Sequence, residues 1–202
     1  MIGIIDYGMG NLESVRKAFA KVGHTARRIR AASEVASCDR IVLPGVGAFG
    51  QAMTNLARSG FIPPLRRAVD DGRPLLGICL GLQLLFSTSS EHGRHEGLGW
   101  LPGHVDRLPD SVRVPHVGWN EVRQTRPSRL FDGIPDRAHF YFVQSYYVDA
   151  ARTPATMATT AYGPSIVAAV EDRNLFAVQF HPEKSQEAGL RLLDNFGRLA
   201  CS

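Results

Sequence analysis

Two kinds of hydrophobic pattern alternate along the first half of the chain. Short apolar runs bounded by turn residues predict buried strands, whereas apolar residues three or four apart predict helices. The clearest helix begins at Asn11 and is stopped by Gly23. The predicted strands are 2–6, 25–29, 40–43 and 75–79, and the predicted helices are 11–22, 48–58, 62–69 and 80–86. Pro63 and Pro64 are expected to interrupt the third helix near its start. This alternation predicts a parallel sheet with helices on both faces.

The second half of the chain has mostly strand patterns separated by short turns. The predicted strands are 117–122, 139–148, 156–161, 165–171 and 175–180, and one helix follows at 186–199. Strands joined by short turns pair antiparallel, so we expect them to extend the first sheet. Neither a repeat nor a linker interrupts the pattern. We therefore predict one α/β domain over residues 1–202, with a three-layer, mixed, mostly parallel sheet and helices on both faces.

Composition and charge exclude several classes of protein. The chain has 202 residues, of which 44% are hydrophobic and 21% charged, values typical of a globular domain rather than of a disordered chain. The net charge is +4, but the arginines are scattered and no nucleic-acid-binding motif accompanies them. The longest apolar stretch, 74–86, is too short to span a bilayer. The first six residues form a strand pattern without a basic leader, so we expect a cytoplasmic protein.

Cysteine usage indicates neither a disulfide framework nor a metal site. The three cysteines, Cys38, Cys79 and Cys201, are odd in number and widely spaced. His92 and His95 flank Gly93 without a third ligand nearby, which favours a solvated loop over a metal site. We therefore predict no metal.

One cysteine lies in a pattern that indicates chemistry. In Gly77-Ile78-Cys79-Leu80-Gly81, a buried strand runs into a helix with Cys79 at the junction. Small residues two before and two after a nucleophile permit the tight turn of a nucleophile elbow. The helix N-terminus favours a thiolate, and its free N–H groups can stabilise an oxyanion. A buried core cysteine is the alternative, but flanking glycines are costly in a simple strand or helix.

A base and an orienting acid follow the last predicted strand. The segment Phe180-His181-Pro182-Glu183 directly follows that strand. If the segment is extended, His181 and Glu183 point the same way and face one site. With Cys79 they form a candidate Cys-His-Glu triad.

A glycine-rich loop follows the strand predicted at 40–43. In Pro44-Gly45-Val46-Gly47, the glycines allow a backbone N–H to approach a substrate. The loop lacks the Gly-Lys-Ser/Thr ending of a phosphate-binding P-loop. Completion of an oxyanion hole is therefore the favoured interpretation, and a plain strand-to-helix connection is the alternative.

These motifs together resemble the class I (triad) glutamine amidotransferase family. The resemblance rests on 77–83 and 178–183 and covers essentially the whole chain. Further segments are similar to the glutaminase subunits of imidazole glycerol phosphate synthases, namely 5–11, 44–47, 115–120 and 140–146. Gln144 departs from that pattern, because a histidine is frequent there, and we assign it no catalytic role.

The resemblance implies a role for each matched residue. Cys79 would attack glutamine, His181 would move the proton and Glu183 would orient His181. The resemblance further implies an oxyanion hole at Val46 and Leu80, substrate binding by Gly45, Gly47, Gln83, Glu91, Ser145 and Tyr146, and a partner interface at Trp119, Asn120 and Lys184.

The same resemblance implies a partner and a pathway. Ammonia would pass to a (β/α)₈-barrel cyclase subunit in a heterodimer, which makes imidazole glycerol phosphate and an aminoimidazole carboxamide ribotide in histidine biosynthesis. No cofactor, nucleic acid or membrane is implied. Three alternatives stay open: the glutaminase of another amidotransferase, a stand-alone thiol hydrolase of the same fold, and a non-catalytic scaffold subunit. The complete triad disfavours the last.

Overall fold

A nine-stranded mixed sheet forms the centre of the molecule. The computed structural model describes residues 1–200 apart from the side chain of Ala150, so Cys201 lies outside the described residues. The strands are β1 (Ile2–Ile5), β2 (Ala26–Ile29), β3 (Arg40–Gly45), β4 (Leu75–Cys79), β5 (Phe86–Ser89), β6 (His95–Glu96), β7 (Leu101–Arg107), β8 (His116–Gln124), β9 (Ala138–Gln144), β10 (Tyr146–Val148), β11 (Thr156–Ala161), β12 (Ser165–Asp172) and β13 (Leu175–Val178). The order in the large sheet is β2-β1-β3-β4-β13-β12-β11-β8-β9.

The large sheet changes from parallel to antiparallel at β13. The pairs within β2-β1-β3-β4-β13 are parallel, and each following pair as far as β9 is antiparallel. The predicted mixed sheet and its antiparallel extension are confirmed. A second sheet was not predicted: β10, β7, β5 and β6 form it, in that order.

Within residues 1–200, five α-helices cover the two faces of the large sheet. They are α1 (Leu12–Lys21), α2 (Phe49–Arg58), α3 (Ile62–Asp70), α4 (Leu80–Leu84) and α5 (Gln186–Arg198). The buried residues of α1 and α5 belong to one core cluster, and those of α2 and α3 belong to the other. The prediction of helices on both faces is confirmed. No helix within residues 1–200 combines the length and apolar character needed to cross a membrane.

Local sequence signals explain where the helices begin. The Asn11 side chain accepts a hydrogen bond from the Ser14 N–H at 3.3 Å, as expected of a helix cap. The sequence predicted that Pro63 and Pro64 interrupt the helix near its start, and this is wrong. They lie in the first turn of α3, where backbone N–H groups have no partner within the helix and proline is tolerated.

Two predicted strands end earlier than expected, and both breaks lie near the site. The strand predicted at 139–148 breaks at Ser145, so β9 remains in the large sheet and β10 joins the small one. The strand predicted at 175–180 ends at Val178. The carboxyl ends of β3, β4 and β13 therefore meet at one edge, with Gly45 paired to Cys79 and Val178 to Ile78. Open α/β sheets bind ligands at this kind of edge.

Candidate active site

Cys79 lies on a strained turn between β4 and α4. Its φ is 56° and its ψ is −111°, a conformation that a residue with a side chain rarely adopts. A Cβ atom at Gly81 would lie 1.8 Å from the Leu43 carbonyl oxygen, and one at Gly77 would lie 2.8 Å from the Gly81 carbonyl oxygen. Both positions therefore require glycine, and the tight turn expected of a nucleophile elbow is present. The helix that follows is shorter than predicted and ends at Leu84.

His181 and Glu183 are in direct contact next to this turn. His181 Nδ1 lies 2.8 Å from Glu183 Oε1, and the two side chains are 6% and 2% exposed. The expectation that an extended segment aligns them is wrong, because His181 precedes a 3-10 helix, Pro182–Lys184, that folds Glu183 back onto the ring. The His181 N–H donates to the Tyr141 carbonyl at 2.9 Å, which fixes this turn to β9.

The electrostatics of the three residues favour an ion pair. Burial disfavours the imidazolium, but hydrogen bonds and negative charge from Cys79 and Glu183 outweigh it and raise the pKa of His181 to about 10. A protonated His181 can stabilise a thiolate that forms at Cys79 during the reaction, and the thiolate is the reactive form of a cysteine nucleophile. Burial, with a further contribution from the charge of Cys79, raises the pKa of Tyr7. Its neutral hydroxyl donates to the Pro44 carbonyl at 2.9 Å.

A cleft of about 360 Å³ opens above Cys79. Residues predicted from the sequence form most of its lining: Val46, Gly47, Cys79, Leu80, Gln83, Glu91, Ser145, Tyr146, His181 and Lys184. Pro115, Val143 and Gln144 complete it. A larger cavity of about 730 Å³ lies beside Leu175, at the other end of β13. Its described lining contains no cysteine, serine or histidine, so we assign the chemistry to the smaller cleft.

The glycine-rich loop contributes Val46 and Gly47 to the lining of the cleft. A Cβ atom at Gly45 would lie 2.7 Å from the Tyr7 hydroxyl oxygen and 2.9 Å from the Leu80 Cβ atom, so glycine allows the loop to pack against the elbow. Gly47 has a φ of 102°, which favours glycine. Between them, Val46 is half-exposed and faces the cleft. Val46 and Leu80 thus line the same cleft as the nucleophile.

The predicted substrate-binding side chains have protein partners of their own. Gln83 is buried, and its Nε2 donates to the Tyr146 carbonyl at 3.1 Å and to Gln179 Oε1 at 3.0 Å. Glu91 Oε2 accepts a hydrogen bond from the Phe49 N–H at 2.6 Å and so caps the start of α2. Glu91 therefore has a structural role at the helix as well as a place in the cleft.

Gln179 is a further residue of the site that was not predicted from the sequence. This side chain is fully buried, and its Nε2 lies 3.8 Å from Cys79 Sγ. A signal was available, since Gln179 is a polar residue inside the apolar run 175–180. Gln144 is also buried in the cleft wall, and neither of its amide atoms has a hydrogen-bond partner among residues 1–200.

Among the described residues, four exposed apolar side chains lie in the cleft or on the neighbouring part of β8. We call this surface the apolar rim, and it consists of Val46, Val117, Trp119 and Val143, which are 37–55% exposed. Val46 and Val143 line the cleft itself. Because β8 pairs with β9, Val117 lies opposite Val143, and Trp119 lies opposite Tyr141.

Lys184 and Asn120 were also predicted to contact the partner, and only Lys184 lies next to the apolar rim. Lys184 Nζ lies 5.9 Å from the centre of the Tyr141 ring, so the lysine lies next to the apolar rim. Asn120 does not share this surface. It alternates with Trp119 along the strand, and its Nδ2 donates to the Ala161 carbonyl at 3.0 Å. The expectation that Asn120 contacts the partner is therefore not supported, because its amide is occupied within the sheet.

Known proteins resemble this chain over almost its whole length. The profile of the family described as "Glutamine amidotransferase class-I" matches residues 3–199. "Imidazole glycerol phosphate synthase subunit HisH" of Desulfitobacterium hafniense (strain DSM 10664 / DCB-2) is 50% identical, covering 98% of this chain and 94% of that protein. The protein of the same description from Moorella thermoacetica is 51% identical with the same coverage.

Solved structures support the fold. The "Structure of PurLQS from Thermotoga maritima" contains a chain that aligns with a TM-score of 0.78 at 15% identity and covers 96% of both chains. A "Crystal structure of glutamine amidotransferase" aligns with a TM-score of 0.75 at 19% identity, covering 97% of this chain and 98% of the other.

Proposed function

This chain belongs to the class-I glutamine amidotransferase family, and from that premise we propose how its residues carry out the family's chemistry. The chain is the glutaminase subunit of an imidazole glycerol phosphate synthase, as its half-identical relatives are described. The observation that carries the residue assignments is the contact between His181 and Glu183 beside a cysteine held on a strained turn.

In the first half of the reaction, the Cys79 thiolate attacks the side-chain amide carbon of glutamine. The carbonyl oxygen becomes an oxyanion, which accepts hydrogen bonds from the backbone N–H groups of Leu80 and Val46. His181 gives its proton to the amide nitrogen, the C–N bond breaks, and ammonia leaves behind a glutamyl thioester. Glu183 holds the ring of His181 and stabilises its charge.

In the second half, water hydrolyses the thioester. His181, now neutral, takes a proton from the water as its oxygen attacks the thioester carbon. The C–S bond breaks, glutamate leaves, and the Cys79 thiolate faces the imidazolium again. Each turnover therefore consumes one glutamine and one water and releases one glutamate and one ammonia.

The substrate's polar ends bind around the cleft. Gln83 presents its side-chain oxygen, since both its N–H groups already have acceptors. Glu91 offers a carboxylate to the ammonium group of glutamine. Backbone groups of Ser145, Tyr146 and Gly47, which line the cleft, complete the site. Gly45 does not line the cleft, and it contributes by letting the loop pack against Leu80.

A cyclase subunit of the (β/α)₈-barrel type binds over the apolar rim. Support comes from Lys184, which lines the cleft from which ammonia must leave, and from the exposed Trp119, which contacts Tyr141 next to that lysine. Exposed apolar patches on a small domain mark interaction surfaces, and tryptophan is frequent among residues that dominate binding energy. We assign Asn120 no direct contact with the partner; its amide bonds within the sheet and helps to hold β8 in place.

Two further features belong to the proposal. Residues 1–202 form one domain, since β4 pairs with β3 from the first half of the chain and with β13 from the second. Cys38 and Cys79 are both free cysteines. We therefore place the protein in the cytoplasm, where a catalytic thiol stays reduced.

The test is glutaminase turnover of the purified chain alone, with its barrel partner, and with the partner plus nucleotide ligand. We expect slow turnover alone and a rise with each addition. Losing one oxyanion donor costs about 100- to 1,000-fold in rate, and the glycines around Val46 allow the loop to reorient when a partner binds. A chain that is fully active alone and indifferent to both additions would favour a stand-alone hydrolase.

A further inference from the structure

We propose that Gln179 is an additional catalytic residue, whose side-chain N–H stabilises the Cys79 thiolate and whose orientation is set by the Tyr146 carbonyl through Gln83. The proposal rests on Cys79 being the nucleophile, as proposed above. It concerns a residue outside the triad, on the strand end that precedes His181.

The orientation of the two amides follows from one backbone carbonyl. The Tyr146 carbonyl can only accept, so the amide group of Gln83 that lies 3.1 Å away must be its NH₂. The second hydrogen of that NH₂ points to Gln179, 3.0 Å away, so this end of Gln179 must be its oxygen. The NH₂ of Gln179 is then the end that lies 3.8 Å from Cys79 Sγ.

Burial makes this orientation matter. Gln179 is fully buried and Gln83 is 5% exposed. Turning the Gln179 amide would bring two NH₂ groups together, and turning the Gln83 amide would bring its oxygen against two other oxygens, in each case without water to separate them. A donor beside the sulfur favours the thiolate, both before attack and when the C–S bond of the thioester breaks.

Other groups also act on the sulfur, and they limit the size of the effect. His181 supplies the positive charge, and Glu183 acts through it. Tyr7 lies nearby as a neutral phenol, and Glu91 and Lys184 line the same cleft. Against this background, removing one neutral donor from a charged acceptor is expected to reduce the thiolate population about tenfold at a given pH, which equals a shift of about one pH unit.

The direct test measures alkylation of Cys79 by iodoacetamide between about pH 5 and 9, followed by mass spectrometry of the peptide that contains it. Gln179→Met keeps the length of the side chain and removes the donor. Gln179→Glu keeps the shape and the acceptor for Gln83 but places a carboxylate beside the sulfur. We expect the pH of half-maximal alkylation to rise by about one unit for Met and further for Glu.

A second variant tests the role of Gln83 in orienting Gln179. In Gln83→Glu, the carboxylate can accept only from the Gln179 NH₂, so Gln179 turns its oxygen toward the sulfur, and the pH midpoint should rise. Gln83→Met leaves Gln179 free to keep its N–H on the sulfur, and the midpoint should move less. This pair tests the proposal even if a Gln179 variant fails to fold.

A matched control separates chemistry from stability. Asn195 is another buried amide, bonded to the Leu130 and Asp132 carbonyls at 3.0 and 2.7 Å. Asn195→Asp should lower the thermal midpoint without moving the pH of alkylation. Folded Gln179 variants with the wild-type pH midpoint would overturn the proposal. If wild-type Cys79 is itself unreactive and glutamine is not hydrolysed, the proposed function fails instead.

Discussion

Replacing Glu183 by glutamine tests how the triad divides its work. Glutamine keeps the shape of the side chain, and its oxygen can still accept from His181 Nδ1, the atom that now lies 2.8 Å from Glu183 Oε1. What is lost is the negative charge facing the ring. We therefore expect Glu183→Gln to slow glutamine hydrolysis less than His181→Ala does.

The magnitude follows from the geometry of the pair. Both side chains are at least nine-tenths buried, so the contact is poorly screened by water. A hydrogen bond to a charged group contributes about 1.5–3 kcal/mol. Losing that contribution in the transition state would lower kcat/KM roughly 10- to 150-fold. His181→Ala removes a proton-transfer group worth about 100- to 10,000-fold, together with the positive charge that faces the Cys79 thiolate.

The assay is steady-state glutaminase kinetics of each variant in complex with the barrel partner. Glu187→Gln is the matched control, since it makes the same change in the exposed first turn of α5 and should leave kcat/KM unaltered. Thermal unfolding of each variant checks that the fold is intact. A loss for Glu183→Gln equal to or greater than that for His181→Ala would refute this division of roles.

Four further outcomes are expected. Cys79→Ala should abolish glutamine-dependent synthesis by the complex but preserve synthesis from ammonium salts at high pH; failure with both nitrogen sources would contradict a role in ammonia production alone. Trp119→Ala should weaken partner binding by roughly 30-fold in calorimetry, and an unchanged Kd would exclude the apolar rim as the docking surface.

Gly81→Ala should lower the free energy of unfolding, measured in urea, by roughly 3 kcal/mol, because the added Cβ atom meets a backbone carbonyl. Gly93→Ala, where the added Cβ atom meets open space, should lower it by about 1 kcal/mol. Equal losses for the two variants would be inconsistent with this distinction. Finally, the pKa of His181, about 10 in the wild type, should be lower in Cys79→Ala when measured by NMR titration. Burial lowers this pKa, and in the variant only Glu183 remains to raise it.

Local patterns determined several features without tertiary information. The glycines at 77 and 81 predicted the elbow, because the tight turn requires small residues wherever the rest of the chain lies. The Asn11 side chain caps its helix through a neighbour three residues away. The sequence did not give the strand order: the parallel pairing of β13 with β4, which brings Cys79 and His181 to the same edge of the sheet, comes from the structure.

Some errors arose where local patterns are ambiguous. Proline disfavours a helix interior but is tolerated in a first turn, so the prediction at Pro63 depended on where the helix begins. His181 and Glu183 meet in either an extended segment or a 3-10 turn, and the sequence predicted their proximity with the wrong backbone. The break at Ser145 was missed because β9 and β10 have one continuous strand pattern.

What the sequence alone determined is the elbow, the triad residues as candidates and the alternation of strands and helices, since these depend on spacing along the chain. Only the tertiary structure decided the second sheet, the face on which Asn120 lies and the contact between Gln83 and Gln179. Those two glutamines are separated by 96 positions in sequence. Pairings between distant segments depend on how the whole chain closes its loops and fills its core, and spacing along the sequence does not encode them.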